Sequence, residues 1–385
     1  MHYIKYYISS LTLLIAIQLC FLGEYYPTIF FIGFSLFIII GDLVLNEDTK
    51  ERKYSYPFLL NLPMYMNFPL LMAMVLMSAF VLGISSPNLL SDFTLRYLEV
   101  DLINAQQSIN IIDKFSLIVL MGLLIGIMGT VPGHELVHRK KSKFDMFMGN
   151  ILLAFSWDCA FAIEHVYGHH KNVGLSVDPA TARRGENIYG FIARAIIKEH
   201  VDAWKIELSQ LKRRGKPLLS TNNRMLVGYG KSILITSIVF YTCGLYSLLY
   251  YLFFSLIAKS LLEVINYSEH YGLVRVQGQL VLPKHSWNSN SVMSSIYLYN
   301  VTRHSSHHEK ANLKYWELKS YTNAPMMPQG YLTMLYMALI TPLLFHKMMA
   351  KKLLEWDKNF ASEEELKLAL EQNRESGIPL LQENI

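Results

Sequence analysis

Three stretches of the chain are crowded with histidine: His134-Glu135-Leu136-Val137-His138, Glu164-His165-Val166-Tyr167-Gly168-His169-His170 and Arg303-His304-Ser305-Ser306-His307-His308. A fourth, Asn266-Tyr267-Ser268-Glu269-His270-Tyr271-Gly272, adds one more, so nine of the thirteen histidines fall in four places. Within a cluster they are three, four or five residues apart, a spacing that lines one face of a helix. Imidazole is the commonest biological metal ligand, and nine exceed what one ion takes. The set therefore predicts a two-metal site. A structural or pH-sensing histidine patch would bury many imidazoles without partners, at ~1–3 kcal/mol each.

Taken alone, His134 to His138 fits the His-Glu-x-x-His pattern of zinc proteases. A zincin would leave six clustered histidines without a role, so an intramembrane zinc protease is the remote alternative. Glu135, Glu164, Asp178 and Glu269 lie close in sequence to the clusters and could accept the outer ring N–H of a ligating histidine, fixing its tautomer. Asp178 reads equally well as a turn residue before Pro179. His285, in His-Ser-Trp-Asn-Ser-Asn, is a further candidate for an orienting role, whereas His2, His200 and His346 stand outside the set. Ligand type admits iron, copper, zinc or nickel. Attack on an unactivated C–H bond needs a redox metal with O2, which favours iron over zinc.

The elements that must position these residues are apolar. Hydrophobic residues make up 52% of the 385 and charged ones only 17%, against about 25% charged in soluble domains. The apolar residues gather at 6–22, 27–45, 66–84 and 115–133, and in a hairpin over 231–267 that turns near Cys243-Gly244. Blocks of this length suit helices crossing ~30 Å of hydrocarbon. The expected fold is an all-α integral membrane protein: six transmembrane helices with a cytoplasmic helical cap carrying the histidine-rich di-metal site. The first block lacks a basic start and a cleavage site and reads as a retained helix. Residues 146–163 include Asp158 and should pack against the bundle, and 330–347 is either a seventh crossing or an interfacial helix.

Loop charge orients the bundle. Residues 85–113 hold Arg96 against Asp92, Glu99, Asp101 and Asp113, whereas Arg139, Lys140, Lys141 and Lys143 follow the first cluster. By the positive-inside rule all four histidine elements face the cytoplasm. The chain reads as one membrane enzyme domain over 1–385. Its parts are four helices in 1–138, a cytoplasmic segment 139–230, the hairpin 231–270, and a cap and tail 271–385 whose last twenty or so residues are peripheral. Residues 181–230 carry ten Lys/Arg against four acids. Arg183, Arg184, Lys212, Arg213 and Arg214 could dock an acidic electron donor or anchor the chain to anionic lipid. Cys20, Cys159 and Cys243 form no Cys-x-x-Cys pair, so if the chemistry needs electrons they must come from another protein. No nucleic acid is expected among the partners.

The four histidine elements, together with Asp178-Pro179-Ala180-Thr181-Ala182-Arg183-Arg184-Gly185-Glu186 and His285-Ser286-Trp287-Asn288-Ser289-Asn290, resemble the membrane-bound non-haem di-iron monooxygenases of the alkane hydroxylase family, in the fatty-acid-desaturase-like superfamily. The resemblance covers residues from about 40 to 345. It implies six transmembrane helices, two irons, O2 as co-substrate and hydroxylation of a terminal methyl group, a medium-chain alkane giving a primary alcohol. It also implies a separate donor, a rubredoxin or an iron–sulfur or flavin reductase. The ligands it implies are His134, His138, His165, His169, His170, His270, His304, His307 and His308. Ser306 stands where alkane hydroxylases usually carry Asp, and Arg139 where Lys is usual. The loop at Arg52-Lys53 and the tail from Trp316-Glu317-Leu318 to Leu354-Glu355-Trp356-Asp357 are more similar to xylene monooxygenase, which hydroxylates methyls on aromatic rings. Alkylaromatic hydroxylation and acyl-chain desaturation are the alternatives.

Overall fold

The computed structural model describes residues 2–321 and 323–384. Among them the chain is helical, with no sheet and two isolated bridges. Among the described residues five helices are long and apolar enough to cross a membrane: Tyr26–Val44, Phe58–Leu82, Ile111–Val137, Arg224–Cys243 and Leu245–His270. The protein is therefore a multi-pass, all-α membrane protein. The expected first span is the shorter apolar helix Ile4–Leu19, which rises about 24 Å at 1.5 Å per residue. Tyr331–Ile340 has ten residues, and its rise of about 15 Å is half a hydrocarbon core. It is too short for a seventh crossing, and Pro342 starts a new helix directly after Thr341.

The chain divides into two compact units. One comprises Met1–Phe37, Tyr54–Cys159 and Leu219–Leu261, the other Ile38–Lys53, Ala160–Leu218 and Leu262–Ile385. In the first, Phe58–Leu82 runs straight through Pro63 and Pro69, where the hydrophobic block begins only at 66. Pro63 cannot donate to the Leu59 carbonyl four residues back, and the Tyr7 hydroxyl takes its place at 2.8 Å. Asn110 and Asp113 form a capping box that starts the helix leading to His134. The hairpin turns at Gly244, whose φ of +88° favours glycine. Asp158 accepts from Lys259 Nζ at 2.7 Å, so the one lysine deep in Leu245–His270 is paired.

The second unit is built around buried polar anchors. The Asp42 carboxylate accepts from the Ser291 hydroxyl, Ser294 N (2.9 Å), Ser294 Oγ (2.7 Å) and Thr333 Oγ1 (3.0 Å). It sits against Gly330, where a Cβ would come within 2.2 Å of it. Arg184 is buried: its guanidinium binds Asp357 at 2.6 and 2.7 Å, Asn373 at 2.7 Å and the Gly272 carbonyl at 2.9 Å. Of the basic residues expected at a docking face, Arg184 is thus turned inward, while Arg183, Lys212, Arg213 and Arg214 are exposed.

The C-terminal residues, expected at the periphery, form helices Glu363–Glu375 and Pro379–Gln382 that bury Glu365, Ala369, Asn373 and Leu381. Positions 365, 369 and 373 recur every four residues and make one inward stripe. Two of the three are polar, which hid the stripe from a search for apolar periodicity.

Candidate metal centre

In the first unit the long helix Ile111–Val137 ends at the first cluster, after a π turn over Gly126–Thr130. His134 Nε2 and His138 Nε2 lie 3.2 Å apart, one helical turn from each other. Glu135, on the same turn, accepts from Arg139 Nε (3.1 Å) and Nη2 (2.7 Å). Burial works against the charge on Arg139, but Glu135 and Asp145 keep it charged, its pKa raised.

In the second unit a π turn spans His165–His169. Residues five apart on an α-helix point in different directions. In a π turn they come together, and His165 Nε2 stands 3.2 Å from His170 Nε2. His307 joins them, the three ligand nitrogens lying within 4.8 Å of one another. His169, His270, His304 and His308 form a second group within the same limit. His308 Nε2 is 2.9 Å from His304 Nε2, which is 3.1 Å from His270 Nε2. Each short helical stretch feeds both groups: 169 and 170 part company, as do 307 and 308. The groups are adjacent, with the His170 and His308 rings 4.5 Å apart.

These residues fit a pair of metal ions. Two nitrogens each about 2.1 Å from one ion, at right angles, are about 3 Å apart, as the converging Nε2 atoms are. A neutral imidazole has one N–H, too few to reconcile several inward-facing nitrogens by hydrogen bonding alone. His169 Nε2 and His308 Nδ1 are buried without a hydrogen-bond partner. Burial, then the neighbouring His169, lowers the His307 pKa to about 3. His308 is lowered likewise by burial and the surrounding imidazoles, so both present neutral rings at physiological pH.

The outer sides of the rings are held as well. His169 Nδ1 donates to Asp178 Oδ2 at 2.9 Å, and the Thr181 hydroxyl donates to the same oxygen at 2.6 Å. Burial raises the Asp178 carboxyl, but His169 and Thr181 outweigh it and bring it below its ordinary value. His270 Nδ1 donates to the His285 carbonyl at 3.2 Å. The Glu269 carboxylate reaches within 3.3 Å of His304 Nε2, on the side where the nitrogens converge, and Glu164 lies along Gly168, where a Cβ would meet its Oε1 at 2.3 Å. His2, His200 and His346 join neither group.

Glu365 was not among the residues expected from sequence, yet it accepts from His285 Nε2 at 2.8 Å. Its only sequence signal is the capping-box spacing Ser362-x-x-Glu365.

The profile of the fatty acid desaturase family matches residues 114–338, which include all nine clustered histidines. The chain belongs to this family, and within it to the group that contains the alkane and xylene monooxygenases. It is 37% identical over 238 residues to alkane 1-monooxygenase 2 of Alcanivorax borkumensis, covering 60% of this chain and 62% of the relative. Alkane 1-monooxygenase 1 of Pseudomonas aeruginosa is 36% identical over 237 residues, again 60% and 62%. The xylene/toluene monooxygenase hydroxylase component of Pseudomonas putida is 32% identical over 252 residues, 65% of this chain and 68% of the relative. The matches thus span about three fifths of the alkane monooxygenases' length.

Proposed function

We propose that the protein is a membrane monooxygenase that hydroxylates a terminal methyl group of a hydrocarbon, with a medium-chain alkane as substrate and a primary alcohol as product. The observation that carries this reading is the pair of adjacent histidine groups in the second unit, His165/His170/His307 and His169/His270/His304/His308. Two irons would suit the chemistry of this donor set, and His134 and His138 are the further ligands that the family resemblance implies. When bound, the iron pair supplies the redox chemistry that activates O2. The balance is RH + O2 + 2 e− + 2 H+ giving ROH + H2O. The electrons come from a separate carrier, because the three buried cysteines are free thiols with no metal-binding motif.

The chain's own residues do the positioning. Asp178 and the His285 carbonyl fix the tautomers of His169 and His270, leaving the Nε2 lone pair of each free to hold a metal when one is bound. Glu269, against His304, places the nearest carboxylate on the converging side, and Glu135 and Glu164 buttress their own helices. An apolar substrate dissolved in the bilayer reaches the chain without crossing water. The group faces the cytoplasm of a bacterial inner membrane, where Arg183 and Lys212–Arg214 receive an acidic electron donor. The likeness to the xylene/toluene hydroxylase component supports a second substrate class, methyl groups on aromatic rings.

The test is product analysis in membranes supplied with NADH, a rubredoxin and its reductase, and O2, using octane, xylene and an acyl lipid in parallel. Octan-1-ol with two irons per chain supports the reading. Bound zinc without O2 uptake, or an alkene from the acyl lipid, sinks it.

A further inference from the structure

The histidine closest to the end of a membrane helix, His270, has its outer nitrogen on a main-chain carbonyl rather than on a carboxylate. That carbonyl belongs to His285, in a segment with little regular structure: a short turn over Pro283–His285 followed by extended residues. Main-chain orientation in such a segment depends on what grips it: Trp287 N and Nε1 donate to the Glu269 and Tyr271 carbonyls beyond it, and the C-terminal helices hold Lys284 and His285 themselves. The Leu282 amide donates to His285 Nδ1 at 3.0 Å, so the ring proton is on Nε2, which donates to Glu365 Oε1 at 2.8 Å. Lys284 Nζ reaches the Phe360 carbonyl at 3.1 Å, and its own carbonyl accepts from Trp356 Nε1 at 2.7 Å. His285 and the Glu365 side chain are both fully buried.

The two oxygens of Glu365 divide the work. Oε2 accepts from Ser362 N at 2.8 Å and from Lys284, closing the capping box of helix Glu363–Glu375. A helix cap needs no buried histidine, and Oε1 is committed to one. We propose that Glu365 is a positioning residue for the metal ligand His270, acting through the His285 ring and carbonyl, and that the C-terminal helix thereby tunes the ion of the His169/His270/His304/His308 group. Glu365 lies outside the residues matched by the family profile, which stops at 338. The inference rests on the reading of His270 as a ligand.

The experiment is a cobalt(II) titration of the metal-free, full-length protein in detergent, followed by the visible d–d bands, together with iron content after reconstitution. Glu365→Ala and His285→Ala are each expected to weaken one of the two binding steps 10- to 100-fold, the range for loss of a ligand's orienting partner, and to alter the bands of that step only. The double variant is expected to be no worse than either single one, because the two residues act in series. Ser362→Ala removes the cap while leaving the bond to His285, and should lower the melting temperature without changing either step. If Glu365→Ala does not accumulate, His285→Ala carries the test, since it leaves the capping box intact. Wild-type titration steps in the alanine variants, or equal weakening in Ser362→Ala, overturn the relay alone. Failure of the wild-type protein to take up metal overturns the metal centre and the relay with it.

Discussion

The two histidine groups of the second unit share two short helical stretches, the quartet adding His270 from the end of Leu245–His270, and different contacts stand out at each. His165, of the trio with His170 and His307, stacks on Phe161 at 4.4 Å and lies nearly parallel to the His307 ring. The quartet of His169, His270, His304 and His308 is braced by polar contacts: a buried carboxylate on His169, a backbone carbonyl on His270 and a carboxylate beside His304. Aromatic packing fixes a ring's plane. A hydrogen bond to the outer nitrogen also fixes its tautomer and raises its donor strength. Substitution of these polar partners should therefore act on an ion held by the quartet.

Direct removal of a ligand should have the largest effect and ignore the difference. His308→Ala in the quartet and His170→Ala in the trio are both expected to abolish hydroxylation and to leave about one iron per chain, read by metal analysis beside product yield. Next, Asp178→Asn should lower metal affinity or turnover about 10- to 100-fold. Phe161→Leu, its counterpart at the trio, removes the ring stacked on His165 and should change either by less than about threefold, because it takes no hydrogen bond from a ligand's outer nitrogen. Equal losses in the two variants would erase the distinction.

Acid should produce a smaller, graded effect. In the metal-free protein His307 is held neutral down to about 3, against an ordinary value of about 6.5. The unfolded chain takes up that proton first, so stability falls as pH drops from 6.5 toward 3, by up to about 1.4 kcal/mol per pH unit for each such imidazole. His308 behaves likewise. Melting curves of metal-free protein between pH 7 and 5 should shift downward, and His307→Phe should shift less. Asp178 has the same sign at lower pH: its depressed carboxyl stabilises the fold above about 3.9, and that contribution is lost as pH falls through the folded value.

The histidines and most of the membrane spans were legible in the sequence because each obeys a type-specific rule. A metal needs imidazoles at helical spacing, and a span needs some twenty apolar residues. What stayed hidden depends on partners far along the chain. The start of Phe58–Leu82 was invisible because Pro63 reads as a breaker until Tyr7 is known to supply the missing donor. Arg184 reads as surface charge until Asp357 and Asn373 appear beside it, 173 and 189 residues away. The π turn that joins His165 to His170 has no propensity signature, and Glu365 looked like one acid in a polar tail.

The ion pair between Lys259 and Asp158 constrains how the protein is made. A lysine near the middle of a membrane helix costs about 2.5–3.5 kcal/mol when that helix enters the bilayer alone. Its counter-charge lies 101 residues earlier, so Asp158 has left the ribosome before Lys259 is synthesised. Leu245–His270 then enters beside a surface already carrying its neutralising partner. Insertion of Leu245–His270 is thereby eased by a partner made earlier, and Asp158→Ala should lower the fraction of chains that insert this helix without abolishing it.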